Sequence, residues 1–391
     1  MPDLIDVVEI AQSLESKAVF EAPDRCVVVR NRNAKCRKCV KACPADAIVV
    51  KDNRLKVDHQ RCVACGACSV ACPTEALVAL RPFTGELDAA IADACIATQG
   101  TALFACARIA SKNYAHPKHF AEVPCLARME EGVLFELAAQ GIGRILLIDG
   151  DCSTCKHRHC VAGIDETVAS ANTLLAAVGS GVRIKRCSAF PAEFLAEDAA
   201  GLYGAARRDF FTQARGTAKD AAGKTVEVIL KGGKDKDAAK LRDRLKVSKA
   251  GTLPQFEAKR RMRILDAMDR MGGVAPAAPR EMETRLWGTV EIDAEKCTVC
   301  NMCTMFCPTG ALQKLAIDRE GEKKPFIEFS LADCVQCRTC ADICLKHCLT
   351  VGSRISLEEL FDFEPRVVML PEPGEKHGAL NGLGRWGWCF R

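Results

Sequence analysis

The sequence predicts a multidomain protein of mixed class, in which two small α+β modules flank an α/β unit with a parallel sheet. The chain has 391 residues, more than one hydrophobic core usually organises. Its 25 cysteines fall mainly into two tightly spaced blocks that repeat one another. Between the blocks, strand and helix patterns alternate, which is typical of a parallel sheet.

We place domain boundaries where these patterns change. The cysteine blocks lie in residues 1–85 and 286–352, the α/β unit in 86–195, a basic helical connector in 196–285 and a tail in 353–391.

Composition and termini exclude several protein classes. Apolar residues make up 49% of the chain and charged residues 27%, the balance of a globular protein. No apolar stretch approaches the roughly 18 residues that a membrane helix needs. Residues 1–6 are acidic where a secretory signal would be basic. We therefore expect a cytoplasmic protein without a membrane span, whose clustered thiols bind metal rather than form disulfides.

The first block contains one complete motif and one incomplete motif. The complete motif has the spacing Cys-x-x-Cys-x-x-Cys-x-x-x-Cys-Pro and consists of Cys62, Cys65, Cys68 and Cys72. This run is typical of bacterial 4Fe-4S ferredoxins, in which three thiolates hold one cluster and the fourth holds its neighbour. The incomplete motif supplies Cys36, Cys39 and Cys43, with Asn33 where its first cysteine is expected.

Cys26 is our candidate for the missing ligand. It precedes Cys36 by ten residues, and a short strand expected at residues 27–29 would bring its thiol back over the loop. Crossed ligation then gives two sets, which are Cys26, Cys36, Cys39 and Cys72, and Cys62, Cys65, Cys68 and Cys43. One alternative is that Cys26 is a plain buried thiol and its cluster is incomplete or absent. Zinc is another, although it leaves the third thiol and the Cys-Pro step unexplained.

The second block repeats this pattern after short apolar segments at residues 289–292 and 325–329. Crossed ligation predicts two further sets, which are Cys297, Cys300, Cys303 and Cys344, and Cys334, Cys337, Cys340 and Cys307. In the last motif Leu345 replaces the proline, and Cys348 offers a competing thiol one helical turn on. We prefer Cys344 because its spacing fits the motif.

Both blocks resemble the two-cluster bacterial ferredoxin family, over residues 20–80 and 287–352. The resemblance implies two small ferredoxin-like folds, each with paired strands and helices around two 4Fe-4S clusters.

The middle of the chain has an alternating pattern of its own. Strands are expected to end near Cys106 and Cys125 and to cover residues 144–149 and 182–186, with helices at 130–140 and 165–178. Sites in such folds form beyond the carboxyl ends of the strands, so we expect Cys106, Cys125 and Cys152 to converge.

This segment resembles the delta subunit of methyl-viologen-reducing hydrogenase, a family also fused to heterodisulfide reductase and formate dehydrogenase partners. The likeness is carried by stretches between residues 104 and 186, including the group Cys152, Cys155 and Cys160. It implies a 2Fe-2S cluster held by Cys106, Cys125, Cys152 and either Cys155 or Cys160. A degenerate docking platform and a zinc site using His157 or His159 are the alternatives. Cys95, Cys187 and Cys389 lack ligand spacing and read as structural thiols.

The connector is strongly basic. Residues 207–263 contain 17 Lys and Arg against 7 Asp and Glu, whereas the whole chain carries a net charge of only +5. This asymmetry suits either docking of an acidic protein or a solvated helical linker. We expect no nucleic-acid binding, because no aromatic side chains are interleaved. An amphipathic helix is expected from Leu253, with an apolar stripe at Ile264, Leu265, Met268 and Met271, followed by a stiff hinge at residues 274–279.

Four predicted clusters without a nucleotide, phosphate or flavin motif indicate electron transfer. Our leading hypothesis is an intracellular subunit of a hetero-oligomeric redox complex. It would relay single low-potential electrons through four 4Fe-4S clusters, and a 2Fe-2S cluster if the central domain holds one, to or from a flavin, molybdenum or hydrogenase partner. The alternatives are a complete oxidoreductase with its active metal site in the central domain, and a redox sensor or assembly module.

Overall fold

Two antiparallel strand pairs frame the first cysteine block in the computed structural model, which describes residues 17–196, 245–248, 251–273, 281–319 and 322–371. β1 pairs with β4, and β2 pairs with β3 in a hairpin. The elements of this module are β1 (Val19–Glu21), α1 (Val27–Arg30), α2 (Lys38–Ala42), β2 (Ile48–Lys51), β3 (Arg54–Val57), α3 (Ala67–Ala71) and β4 (Leu77–Ala79).

The prediction of a strand at residues 27–29 is wrong, because this segment forms the single helical turn α1. The N–H of Arg30 donates to the carbonyl of Cys26 at 2.9 Å, and the N–H of Asn31 donates to that of Val27 at 2.9 Å. Burial of Val27 and Val29 against the module outweighs the preference of valine for strands. The turn leaves Cys26 at its N-terminal end, beside backbone N–H groups that have no helical partner.

The central unit contains the predicted parallel sheet, with four strands in the order β6-β5-β7-β8. Its elements are α4 (Thr84–Ala97), β5 (Thr101–Cys106), α5 (Ala107–Ala110), β6 (Ala121–Val123), α6 (Glu131–Ala139), β7 (Arg144–Ile148), α7 (Val161–Ala177) and β8 (Arg183–Cys187). β5 and β7 are buried along nearly their whole length, as is typical of parallel strands that are covered on both faces. Cys106 ends β5, and Cys125 and Cys152 follow β6 and β7.

The helix expected from Leu253 begins later, as α8 (Lys259–Arg270). The preceding residues run extended instead, because Leu253 N–H donates to the Met305 carbonyl at 3.0 Å and Phe256 N–H to that of Pro308 at 3.0 Å. The apolar stripe of α8 is buried at Ile264, Leu265 and Met268, where α8 packs on α6. Most of the basic connector, the expected hinge at 274–279 and Cys389 lie outside the described residues.

The second block repeats the topology of the first. β10 pairs with β13 as β1 pairs with β4, and β11 pairs with β12 as β2 pairs with β3. The elements are β9 (Glu281–Glu283), β10 (Thr289–Ile292), α9 (Met302–Phe306), β11 (Leu312–Arg319), β12 (Glu322–Phe329), α10 (Thr339–Ile343), β13 (Leu349–Gly352), β14 (Arg354–Ser356), α11 (Leu357–Asp362) and β15 (Arg366–Met369). The internal repeat is therefore structural as well as sequential.

Two neighbouring arginines at the start of α8 attach this helix to both cysteine modules. Arg260 donates to the carbonyls of Ser69 (2.9 Å), Val70 (3.1 Å) and Cys72 at the end of α3. Arg261 bridges the modules by donating to the carbonyls of Pro73 at 3.0 Å and Val335 at 3.3 Å.

In the described part of the chain, no helix is long and apolar enough to cross a bilayer.

Truncation of a core residue of the central sheet tests this fold. Leu147 is fully buried in β7, so Leu147→Ala should lower the opening free energy of the sheet by about 2–5 kcal/mol. Hydrogen exchange followed by mass spectrometry on peptides from β5 and β7 measures that energy. The control Ile96→Ala removes a side chain that is 78% exposed and should change it by less than about 0.5 kcal/mol. Equal effects of the two variants would contradict the described packing.

Candidate metal centres

The last cysteine of each motif directly follows a short helix. Cys43, Cys72, Cys307 and Cys344 come after α2, α3, α9 and α10, and all four have extended backbone with ψ between 111° and 120°. A following proline disfavours helical backbone at the first three positions. Cys344 has the same conformation although Leu345 follows it. The four helices thus present these thiols in one repeated geometry.

Cys26 lies beside the thiols of the incomplete motif. Burial, followed by the charges of Cys72, Cys26 and Cys36, raises the pKa of Cys39. Burial also raises the pKa of Cys26 to about 11, whereas the N–H groups of Val29 and Val28 lower it. We call this set, which is Cys26, Cys36, Cys39 and Cys72, the inner N-terminal group. The helical turn α1 therefore brings a fourth thiol to the motif in which Asn33 replaces cysteine.

The other thiols of the first block form a second set. Burial, followed by the charges of Cys65, Cys39, Cys62 and Cys43, raises the pKa of Cys68 well above its ordinary value. We call Cys62, Cys65, Cys68 and Cys43 the outer N-terminal group. Cys43 thus lies near the thiols of the other motif, and crossed ligation stays a prediction.

The second block forms two comparable sets. Burial, followed by the charges of Cys300, Cys297 and Cys344, raises the pKa of Cys303 to about 12. The outer C-terminal group is Cys297, Cys300, Cys303 and Cys344, and the inner C-terminal group is Cys334, Cys337, Cys340 and Cys307. The four thiols of the inner group line one cavity, whose other walls include Val290, Leu312, Phe329 and Val351. Apolar walls of this kind exclude water from whatever the thiols hold.

The loops of the three complete motifs share a backbone feature that the sequence did not indicate. The residues on either side of the second cysteine have positive φ, namely Ala64 and Gly66, Val299 and Asn301, and Gln336 and Arg338. Left-handed backbone at such residues is costly and concentrates at functional sites. In the incomplete motif the corresponding Arg37 has φ −133°, so this loop follows another path.

The curled loops direct backbone N–H groups at the thiols. The N–H of Val299 donates to Cys297 Sγ at 3.4 Å. The N–H of Gln336 and that of Ala64 act in the same way, each lowering the pKa of the cysteine two residues earlier against the raising effect of burial. N–H groups held against sulfur stabilise a negatively charged thiolate and fit the ligands of an iron-sulfur cluster.

Cys348 lies next to the outer C-terminal group. Its Sγ is 3.3 Å from that of Cys344, and it also hydrogen bonds with Cys297. Burial, followed by the hydrogen bond with Cys344, raises its pKa. The structure thus places both competing thiols within reach of the same group, and the preference for Cys344 stays a prediction.

The central cysteines are divided between two places. Cys160 hydrogen bonds with Cys125 and also with Cys65 of the outer N-terminal group. The hydrogen bond from Cys160, with a further contribution from His157, lowers the pKa of Cys125 although burial opposes it. His157 is buried, and its Nε2 has no hydrogen-bond partner within the described structure. The central unit therefore meets the first block at a group of thiols.

The remaining predicted ligands lie around Asp149. Cys152 Sγ is 3.2 Å from the Asp149 carboxylate, which also accepts from Arg186 Nε at 2.5 Å. Cys106 Sγ lies 3.9 Å from the Asp149 carbonyl oxygen. Burial raises the pKa of Cys106, and the nearby charge of Cys125 raises it further. Cys155 Sγ accepts the N–H of His157 at 3.4 Å. The expected convergence is thus closest for Cys106 and Cys125, while Cys152 is engaged by Asp149.

The contact between the first block and the central unit is tight. A Cβ at Gly66 would stand 2.8 Å from Cδ and 2.9 Å from Cα of Arg128, and Gly66 has φ +78°. Only glycine allows this approach, because a side chain would meet backbone as well as side-chain atoms. Gly66 follows Cys65, so the close approach holds Cys65 against the segment that begins at Cys125.

No three Cys, His, Asp or Glu side chains within the described ranges surround a point as they would a single metal ion. The donor chemistry of the four thiol groups, consisting of buried thiols in fours with N–H groups directed at sulfur, fits the larger iron-sulfur cubane.

Comparison with known families supports this interpretation for both blocks. Residues 34–76 match a 4Fe-4S dicluster domain, and residues 290–313 match a 4Fe-4S binding domain. Both matches lie outside the central unit, and Cys26 lies outside the first of them. No curated protein and no solved structure matched the chain. The chain therefore contains two 4Fe-4S ferredoxin-type domains.

Removal of Cys72 tests crossed ligation. Because Cys72 lies with Cys26, Cys36 and Cys39, Cys72→Ala should lose the cluster of the inner N-terminal group, about four iron atoms per chain, and retain the other clusters. Iron analysis and electron paramagnetic resonance (EPR) of the anaerobically purified variant measure this. Cys95→Ala is the control, because burial is the only influence that raises the pKa of Cys95 and no other thiol contributes. The iron content of this variant should not change. Loss confined to the cluster of Cys62, Cys65 and Cys68 would overturn the assignment.

Proposed function

We propose that the protein is an electron-transfer subunit that relays single electrons through four 4Fe-4S clusters, one at each thiol group. The observation that carries this proposal is the continuous proximity of the groups. Helix α2 packs on α3, Lys35 N–H donates to Asp342 of α10, and α9 packs on α10. These contacts bring Cys39 near Cys68, Cys36 near Cys337 and Cys303 near Cys340. The order is therefore outer N-terminal, inner N-terminal, inner C-terminal and outer C-terminal.

The two modules touch at the inner groups, which makes the series continuous. The N–H of Lys35 donates to the Asp342 carboxylate at 2.8 Å, so the loop before Cys36 lies on the α10 helix of the second module. Lys38 lies near both Cys36 and Cys337, and burial lowers its pKa. Arg261 holds the ends of Cys72-Pro73 and Cys334-Val335 at a fixed separation through its two carbonyl contacts.

When bound, each cluster accepts and gives up one electron without forming or breaking bonds. The side chains of this chain supply the thiolate ligands, the N–H groups that stabilise their charge, and the apolar walls that exclude water. Cys300 is exposed, so the outer C-terminal group reaches the protein surface. We propose that a flavin, molybdenum or hydrogenase subunit in the cytoplasm exchanges electrons there.

The outer N-terminal group stands at the other end of the series and lies beside the central unit. This position favours a second role for the central unit. Cys160 joins Cys125 to Cys65, so a redox centre in this unit would lie next to the outer N-terminal group. A 2Fe-2S cluster held by Cys106, Cys125, Cys152 and either Cys155 or Cys160 would extend the relay. The same geometry suits the complete-oxidoreductase alternative, in which this centre acts on a substrate.

Iron and acid-labile sulfide analysis separates these possibilities. For anaerobically purified protein we expect about 16 of each per chain, because four thiol groups each hold a cubane. About 18 would add a 2Fe-2S cluster in the central unit, and Cys125→Ser should then return the value to about 16. About 12 would contradict the four-cluster relay and would point first to the inner N-terminal group, whose motif is incomplete. Little iron with stoichiometric zinc would refute the proposal as a whole.

The order of the groups predicts which reduced clusters interact magnetically. Cys340→Ala should remove the cluster of the inner C-terminal group and leave that of the outer C-terminal group isolated, so its EPR signal should sharpen in the fully reduced protein. Cys68→Ala removes a distant cluster and should leave this signal broad. If both variants sharpen it equally, the proposed order is wrong.

A further inference from the structure

Arg30 is a buried arginine at the end of α1, contributed by the N-terminal module. It is 6% exposed. Its Nη1 donates to the carbonyls of Asp24 at 3.1 Å and Pro254 at 2.8 Å. Its Nε and Nη2 are buried and have no partner among the described residues. A buried guanidinium with unused N–H groups is costly, so this arrangement calls for an acceptor that completes it.

Two thiols of the other module lie close enough to Arg30 for their charges to act on it. Burial lowers the pKa of Arg30, and the charge of Cys307 opposes this more strongly than that of Asp24, with Cys337 third. Cys307 and Cys337 are both thiols of the inner C-terminal group, and both line its cavity. The arginine therefore reaches across the module boundary to a site that would hold an anion.

Two further cations lie at the same boundary. Lys38 is close to Cys36 and Cys337. Arg261 is 2% exposed and donates to three carbonyls, those of Pro73, Leu286 and Val335. Carbonyl groups and the charges of Glu75 and Glu131 offset part of the charge of Arg261, and further negative charge would offset the rest. A cubane with four thiolates carries net negative charge in both oxidation states, so the inner groups supply it when loaded.

We propose that Arg30 donates its free N–H groups to sulfur of the cluster bound by the inner C-terminal group, and so raises the reduction potential of that cluster from the other module. The proposal rests on the relay described above. The added electron makes the reduced cluster more negative than the oxidised one, so a nearby cation with N–H donors stabilises the reduced form more. Loading of one module with iron and docking of the other are thereby coupled.

The test compares Arg30→Gln with the wild type in full-length, anaerobically purified protein. Redox titration followed by EPR should show that one cluster has a lower reduction potential in Arg30→Gln, while the iron content is unchanged. The equilibrium constant for its reduction should fall at least tenfold, which corresponds to 59 mV for one electron. The shift should disappear in a Cys340→Ala background, which lacks the cluster concerned. Arg32→Gln is the matched control, since Arg32 is exposed two residues away and should shift no potential.

Pulsed EPR on protein labelled with 15N-arginine provides a second readout. A nitrogen coupling to the reduced cluster should be present in the wild type and absent in Arg30→Lys, which keeps the charge and is the variant to use if Arg30→Gln loses iron. Unchanged potentials in Arg30→Gln, or a shift that persists in the Cys340→Ala background, would overturn the inference. An iron content below that of four clusters in the wild type would instead refute the relay itself.

Discussion

Burial of thiol groups is the constraint on which the rest of the structure depends. Low-dielectric surroundings penalise a thiolate, and burial is the largest influence raising the pKa of Cys26, Cys39 and Cys303. The chain offsets this penalty locally with N–H groups in curled loops. Across the module boundary it adds buried cations, of which Arg261 contacts both modules. The same features that make iron binding favourable therefore hold the modules together.

The two cysteine modules and the central unit pack against one another and are not independent domains joined only by linkers. One continuous apolar core includes residues of the central sheet, α8 and the second block, and it takes in Cys65 and Ala67 of the first block. The first block has its own small core around Val29, Leu55 and Leu77. Electron transfer needs close and fixed distances between centres, and shared packing supplies them. The central unit thus helps to hold the two cysteine modules in place.

Much of the fold followed from periodicity in the sequence. The parallel strands ending near Cys106 and preceding Cys152 lie close to their predicted positions, because long apolar runs between helices have few other ways to be buried. The helical turn at residues 27–29 could not be predicted from the sequence, since three consecutive valines favour a strand and only their packing produces a helix. The start of α8 at Lys259 also depended on distant carbonyls, those of Met305 and Pro308.

Cysteine spacing by itself located the three-thiol motifs of both blocks, because each loop of three thiols is local in the chain, whereas the fourth thiol of each predicted set comes from elsewhere. It did not determine how the sets are ordered in space or which groups surround them. The proximity of Cys36 to Cys337, the approach of Cys160 to Cys65 and the position of Arg30 near Cys307 each bring together residues more than 90 positions apart in the chain. Such contacts arise from packing of the domains and leave no periodic signal. Only the tertiary structure could decide them.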